Sequence, residues 1–258
     1  MMKESNNGHR TVKLDATGVY YRDLNQLIRK AVSEGARKIE LEAVAGQRYI
    51  GTNLHDCPDL HEVEIHIHGV PGSDLGAFLN GPKIVVHGNA QDGCGNTMND
   101  GEIIVHGSTG DIAGFSARGG RILIRDNAGC RVGIHMKEYQ ERKPVLVIGG
   151  TTQDFLGEYM AGGVIIVLGL NMTGPHNAAL VGTGMHGGAI YMRGDFDRYR
   201  MGKEVGEAEL TAADRELVEQ HVKAYSDSFD VPMDRIFSQS FIKLYPKHLR
   251  PYGNLYAY

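Results

Sequence analysis

The chain has 258 residues, a formal charge of -4, 41% apolar and 22% charged residues, a globular composition that excludes a disordered polyelectrolyte. With no basic run it is no natural partner for nucleic acid. Its polar start MMKESNNGHR lacks an apolar signal core, and no run approaches a membrane span, so no membrane partner and a cytoplasmic location are expected. Cys57, Cys94 and Cys130 form no C-x-x-C pair, which leaves no iron–sulfur or cysteine–zinc signal and suits a reducing compartment, while 35 glycines are about double the usual share.

In chain order, YRDLNQLIRKAVSEG comes first. Leu24, Leu27, Ile28, Ala31 and Val32 fall on one helical face, and Gly35 sits where a helix stops. KIELEAV reads as a strand and GQRYIG as a turn, so residues 1–60 are expected to form a helix–strand cap. From 61 to 200 one short apolar, β-branched run recurs. The closing residues are Gly69 (EIHIHG), Gly88 (KIVVHG), Gly107 (EIIVHG), Asp126 (RILIRD), Gly149 (PVLVIG), Gly169 (VIIVLG) and Gly194 (AIYMRG). Their steps are 19, 19, 19, 23, 20 and 25. One strand per step leaves no room for a crossover helix, so the chain is expected to return through turns as an all-β, single-stranded parallel β-helix of about seven coils.

Four residues before each close stand Ile65, Ile84, Ile103, Ile122, Val145, Ile165 and Ile190. Two before stand Ile67, Val86, Val105, Ile124, Val147, Val167 and Met192. Residues two apart share a strand face, so both columns are predicted to line the core. The column between them points outward: His66, then the apolar Val85, Ile104, Leu123, Leu146, Ile166 and Tyr191. Those six are a candidate interface, to be covered by the C-terminal helix or by another protein chain. Glycine-rich segments such as DGCGN and GDIAG read as corners, and KEYQERK and NMTGPHNAALVGTG as insertions in the longer steps.

After 200, TAADRELVEQHVKAY opens with a capping-box pattern from Thr211 to Asp214. It places Leu217, Val218, His221, Val222 and Tyr225 on one face. Residues 201–258 are thus expected to hold a helix and an extended aromatic tail ending in FIKLYPKHLRPYGNLYAY.

Candidate chemistry is sparse. His68, His87 and His106 share one column, joined by His66, and stacked imidazoles can bind a metal. The column continues as Arg125, Ile148, Leu168 and Arg193, which favours a polar ladder beside a corner. Asp92, Asp111, Asp126 and Asp154 lack the G-G-x-G-x-D spacing of calcium-binding rolls and read as turn residues. Cys94 and Cys130 read as small packing residues. No strand-turn-helix context makes a dinucleotide fingerprint, and no nucleophile–base set stands out. No catalytic, cofactor or metal residue is therefore assigned.

The stretches GDIAGFSARGGRILI and GEYMAGGVIIVLG, with IHGVPGSDLGAFLNG, GNAQDGCGNTMNDG and RVGIHMKEYQERKPVLVIGG, carry a resemblance over about residues 12–200. They resemble the β-helix domain at the C-terminal end of the glutamate synthase large subunit, in its stand-alone archaeal and bacterial form. Related domains occur in formylmethanofuran dehydrogenase, as one of its separate chains, and in methylamine–glutamate methyltransferase. The resemblance implies a right-handed winding, which the helices expected at either end would flank. It also implies a non-catalytic scaffold role without cofactors, in a complex that makes glutamate from glutamine or ammonia and 2-oxoglutarate. Partner subunits would carry the glutaminase and FMN/iron–sulfur sites. The formylmethanofuran-type and methyltransferase-type complexes are the alternatives within that reading. A homo-oligomeric structural protein, or an acyltransferase on a β-helix with a six-residue period, is the alternative of another class.

Overall fold

The computed structural model describes residues 10–248. Strand β1 (Arg10–Asp15) leads to helix α1 (Tyr21–Ser33) and strand β2 (Ala36–Ala45). Strands β3 (Glu64–Val70), β4 (Asn80–Val86), β5 (Asp100–Val105), β6 (Arg121–Ile124), β7 (Val145–Ile148), β8 (Ala161–Val167) and β9 (Gly187–Arg193) follow. The chain ends with β10 (Val205–Glu209), α2 (Ala212–Phe229), α3 (Met233–Ile236) and β11 (Phe241–Pro246). All strands belong to one sheet in the order β1-β2-β3-β4-β5-β6-β7-β8-β9-β11-β10, which crosses both expected divisions, at 60/61 and 200/201. The end of the aromatic tail, 249–258, and the first nine positions of the expected cap lie outside the described residues.

The expected all-β, right-handed parallel β-helix is corrected by this topology. The protein is a mixed α/β fold built on one eleven-stranded, mostly parallel sheet. Its helices belong to the body of the fold. α1 buries Leu24, Ile28 and Val32 in the same core as the strands, and α2 builds a second core on the other face of the sheet. The sheet also ends on antiparallel pairings: β11 runs against β9, and β10, antiparallel to β11, returns to the direction of the other strands. The physical reason is coverage. A parallel sheet with apolar residues on both faces needs a layer against each, and strand periodicity alone does not report where the helices settle.

Parallel pairing sets like residues side by side. Ile39, Ile65, Ile84, Ile103, Ile122, Leu146, Ile165 and Ile190 form one file. The second file runs Leu41, Ile67, Val86, Val105, Ile124, Ile148, Val167, Met192. All sixteen are buried in the inner core. Each such side chain removes apolar area worth roughly 1.5–3 kcal/mol from water, so these two files dominate the hydrophobic term.

At β7 the register corrects the sequence reading. Leu146 pairs with Ile122 and Ile165, so Leu146 and Ile148 face the inner core, while Val145 and Val147 face the outer one. From Ile65 the file advances by 19, 19, 19, 24, 19 and 25 residues. The closing position in this strand is therefore Gly150, whose N–H donates to Asp126 O at 2.7 Å.

Loops between strands make the opposite wall of the inner core. Leu75, Cys94, Ala113, Val132, Leu156 and Val181 stack there, and burial pushes the Cys94 thiol up to about 12. The layers are tied by loop-to-loop bonds, such as Gly133 N to Ala113 O and Gly157 N to Val132 O, both 2.8 Å. Corner side chains add to this ladder. Asp92 Oδ1 accepts from Asp111 N, Asp111 Oδ1 from Cys130 N, and Asp154 Oδ1 from Ala179 N, each at 2.8 Å. These carboxylates each bond to the next layer, while Asp126 pairs with Arg125 at 2.9 Å.

Candidate functional site

The outward column lies mostly beneath α2. Ile104, Leu123, Ile166 and Tyr191, with Val147 in the place expected for Leu146, pack against Val218, Val222, Tyr225 and Ile236. Val85 lies at the margin of this seam, 6% exposed. α2 starts with the full capping box between Thr211 and Asp214. Asp214 also accepts from Tyr191 OH and Lys243 Nζ, both at 2.6 Å. Burial works against its charge. The bonds from Lys243, Thr211 and Tyr191 outweigh that and hold its carboxyl well below the usual range. At the other end, Tyr225 OH donates to Arg125 O at 2.9 Å, in the space that a side chain at Gly149 would fill. Arg193, 8% exposed, donates to the carbonyls of Ile236, Leu168 and Arg235 and locks the segment after α2 onto the sheet. His176 donates from Nε2 to Arg193 O at 2.8 Å; burial lowers its pKa, so it holds this carbonyl as the neutral ring.

The histidine column is a stack of rings. His68 and His87 lie face to face with centroids 4.5 Å apart, and His87 and His106 are 5.6 Å apart. His66 Nδ1 comes within 3.1 Å of His87 Nε2, and Glu40 and Glu64 bond His68 and His66. His106 meets Phe229 edge-on. Among the described residues, no group of three or more His, Cys, Asp or Glu is arranged to hold a metal ion.

Burial, and then the neighbouring His68, His66 and His106, lower the His87 pKa; burial and Arg125 lower that of His106. A folded pKa below the unfolded value means that protonation opposes folding. The contribution is present above about pH 6.5 and is lost as pH falls through the folded value. Stability is expected to drop modestly between pH 7 and pH 5, and His87→Asn to flatten that slope in urea titrations. An unchanged slope would show that the ladder plays no part in the pH dependence.

The surface that remains is the outer side of the loop wall. Two files of bend residues lie at positive φ, one on each side of a file of glycines (Gly76, Gly95, Gly114, Gly133, Gly157, Gly182) that shares it. The first file is Asp74, Gly93, Ile112, Arg131, Phe155 and Leu180; the second is Phe78, Thr97, Ser116, His135 and Tyr159. Asp and Gly suit the left-handed region; a β-branched or bulky apolar residue does not and carries about 1–2 kcal/mol of strain. Yet Ile112 (φ 54°) and Phe155 (φ 63°), both half-buried, and the exposed Leu180 (φ 57°) are held there. Phe115, His135 and Tyr159 extend the same ridge, with His135 and Tyr159 stacked at 5.3 Å and Phe115 edge-on to His135 at 6.1 Å. Leu180 is 45% and Tyr159 47% exposed. The sequence reading missed this ridge. Its signal was available as apolar residues at bend positions that hold Asp or Gly in earlier layers.

A stack of glycine-cornered layers, sealed on one face by helix α2 and carrying a partly exposed apolar ridge on its loops, defines a repeat-built protein. The chain belongs to the GXGXG motif family, whose model matches residues 22–250. It is 44% identical over 259 residues to an uncharacterized protein of Methanocaldococcus jannaschii, covering 97% of this chain and 98% of that one. Its fold is similar to a chain in the crystal structure of the formyltransferase/hydrolase complex of Methylorubrum extorquens with methylofuran. The TM-score is 0.59 at 17% identity, over 85% of this chain and 90% of that one. Among the described residues no helix is long and apolar enough to cross a membrane.

Proposed function

We propose that this chain is a non-catalytic scaffold subunit of a multi-subunit enzyme complex. The observation that carries the reading is the ridge on the loop wall, where bends at positive φ hold the half-buried Ile112 and Phe155 and the exposed Tyr159 and Leu180, with Phe115 half-buried beside them. Strain of this kind persists where a function uses it, and a partner subunit burying the ridge is that use. A rigid ladder of layers suits the task of holding two active sites at constant distance. Two complexes fit. The likeness to a chain of the formyltransferase/hydrolase complex supports a formyl-group-transferring assembly. The glycine-motif resemblance supports a glutamate-synthase-type assembly, with glutaminase and FMN-binding partners.

The test is purification from the native source at endogenous level. Stoichiometric partner chains are expected, and assays of the purified complex for formyl transfer and for glutamate formation from glutamine and 2-oxoglutarate separate the two. Ile112→Gly with Leu180→Gly is expected to lose the partners at little cost in stability. Relief of about 1–2 kcal/mol of strain per residue offsets the added freedom of the unfolded chain. A chain that elutes alone, or a double variant that keeps its partners, would overturn the reading.

A further inference from the structure

On the side of the molecule where the strands begin, successive layers place equivalent residues one above another. Asn99 N bonds Leu79 O, Arg118 N bonds Met98 O, and Lys137 N bonds Ala117 O, which makes Asn99, Arg118 and Lys137 neighbouring rungs about 4.8 Å apart. The insertion that lengthens the step before β7 folds back over these rungs. Tyr139 and Arg142 exchange backbone hydrogen bonds at 3.0 and 3.1 Å, closing a tight hairpin with Gln140 at φ 54°. Hairpin and rungs enclose a cleft of about 350 Å³ lined by Asn99, Arg118, Lys137, Glu138, Tyr139 and Arg142.

The charges lining this cleft are mostly of one sign. Three cations meet one carboxylate, and one oxygen of Glu138 is already engaged by Gly163 N at 3.1 Å. Neither the Arg118 nor the Arg142 guanidinium has an ion-pair partner among the described residues. Burial first, and then repulsion from the adjacent Arg118, lower the Lys137 pKa. An anion between the rungs would relieve that repulsion. Arginine supplies a fork of donors that matches carboxylate or phosphate oxygens, lysine adds a point charge, and the Asn99 amide and Tyr139 hydroxyl supply neutral polar contacts. The stems of Lys137 and Arg142 and the Tyr139 ring give the cleft an apolar wall.

We propose that this cleft binds a small organic dianion, a dicarboxylate or a phosphate ester, with Arg118, Lys137 and Arg142 as the charged contacts. The site is separate from the apolar ridge and does not depend on the scaffold reading.

The experiment is calorimetric titration of the full chain with succinate and with inorganic phosphate, at ionic strength matched by chloride. Saturable binding of at least one is expected, and the preferred one identifies the source of the dianion. Arg118→Gln with Lys137→Gln should weaken it at least tenfold, while Lys13→Gln, on β1, should leave it unchanged. Thermal melting checks that the double variant folds. If it does not, Arg142→Gln on the exposed hairpin carries the same expectation. No saturable binding of either anion, or equal affinity in a folded cleft variant, would overturn the site.

Discussion

Gly157→Ala is expected to destabilise the protein by about 2–5 kcal/mol, in spite of adding a single methyl group. Gly157 lies at φ +66°, where an L side chain costs about 1–2 kcal/mol. Its Cβ would also stand 2.6 Å from Ile190 Cδ1, and Ile190 is fully buried in the inner file, so neither group can move into solvent. Overpacking of this kind costs about 1–3 kcal/mol. The two terms separate in a double-mutant cycle. Ile190→Val removes Cδ1, so in that background Gly157→Ala should keep the backbone cost and lose the clash. Urea unfolding of the four proteins measures this. A substitution that costs the same in both backgrounds would show that the glycine answers to backbone geometry alone. Gly133 makes the same approach to Ile165 Cδ1, at 2.5 Å, so the argument applies along the repeat.

Asp214→Ala is expected to cost about 3–4 kcal/mol and to loosen α2 from the sheet. The substitution removes the acceptor shared by Tyr191, Lys243 and the Thr211 cap. It leaves the Tyr191 hydroxyl buried without a partner and the Lys243 charge uncompensated. Lys243 retains 27% side-chain exposure, so water meets part of its loss, which places the cost at the lower end for a broken buried pair. The capping box contributes about 1 kcal/mol of the total. Hydrogen exchange should show α2 amides losing protection while those of β4–β6 keep theirs; a uniform loss would mean that α2 and the sheet open as one unit. The carboxylate contributes stability that is full above its ordinary pKa and is lost as pH falls toward its depressed folded value, so Asp214→Asn should also soften acid unfolding.

Both predictions concern how a covering layer meets a repeated sheet, and there the chain's own letters stop being sufficient. Spacing determined a great deal. Runs 19 residues apart, each with Ile or Val two apart, mark equal layers, because a strand shows alternate residues to one face and Ile84, Ile103 and Ile122 recur in the same phase. Glycine at the bends follows from the same repeat, since only a residue without Cβ fits both the positive φ and the approach of the next layer's isoleucine. The capping box of α2 was legible because its two residues are three apart and act locally.

Tertiary structure decided the rest. Val145–Ile148 is buried on both faces, so alternation carries no phase there, and only pairing with Ile122 and Ile165 turns Leu146 inward and Val145 outward. An amphipathic helix announces that it will cover something without saying what. That α2 takes the outer stripe, that α1 joins the inner core, and that the sheet closes with one reversed strand, β11, between β9 and β10 are long-range choices, and they changed the fold class from all-β to mixed α/β. The ridge of Ile112, Phe155 and Leu180, and the cleft of Arg118, Lys137 and Arg142, likewise exist only once layers are stacked, because their members stand 19 to 43 residues apart or are joined by a folded hairpin.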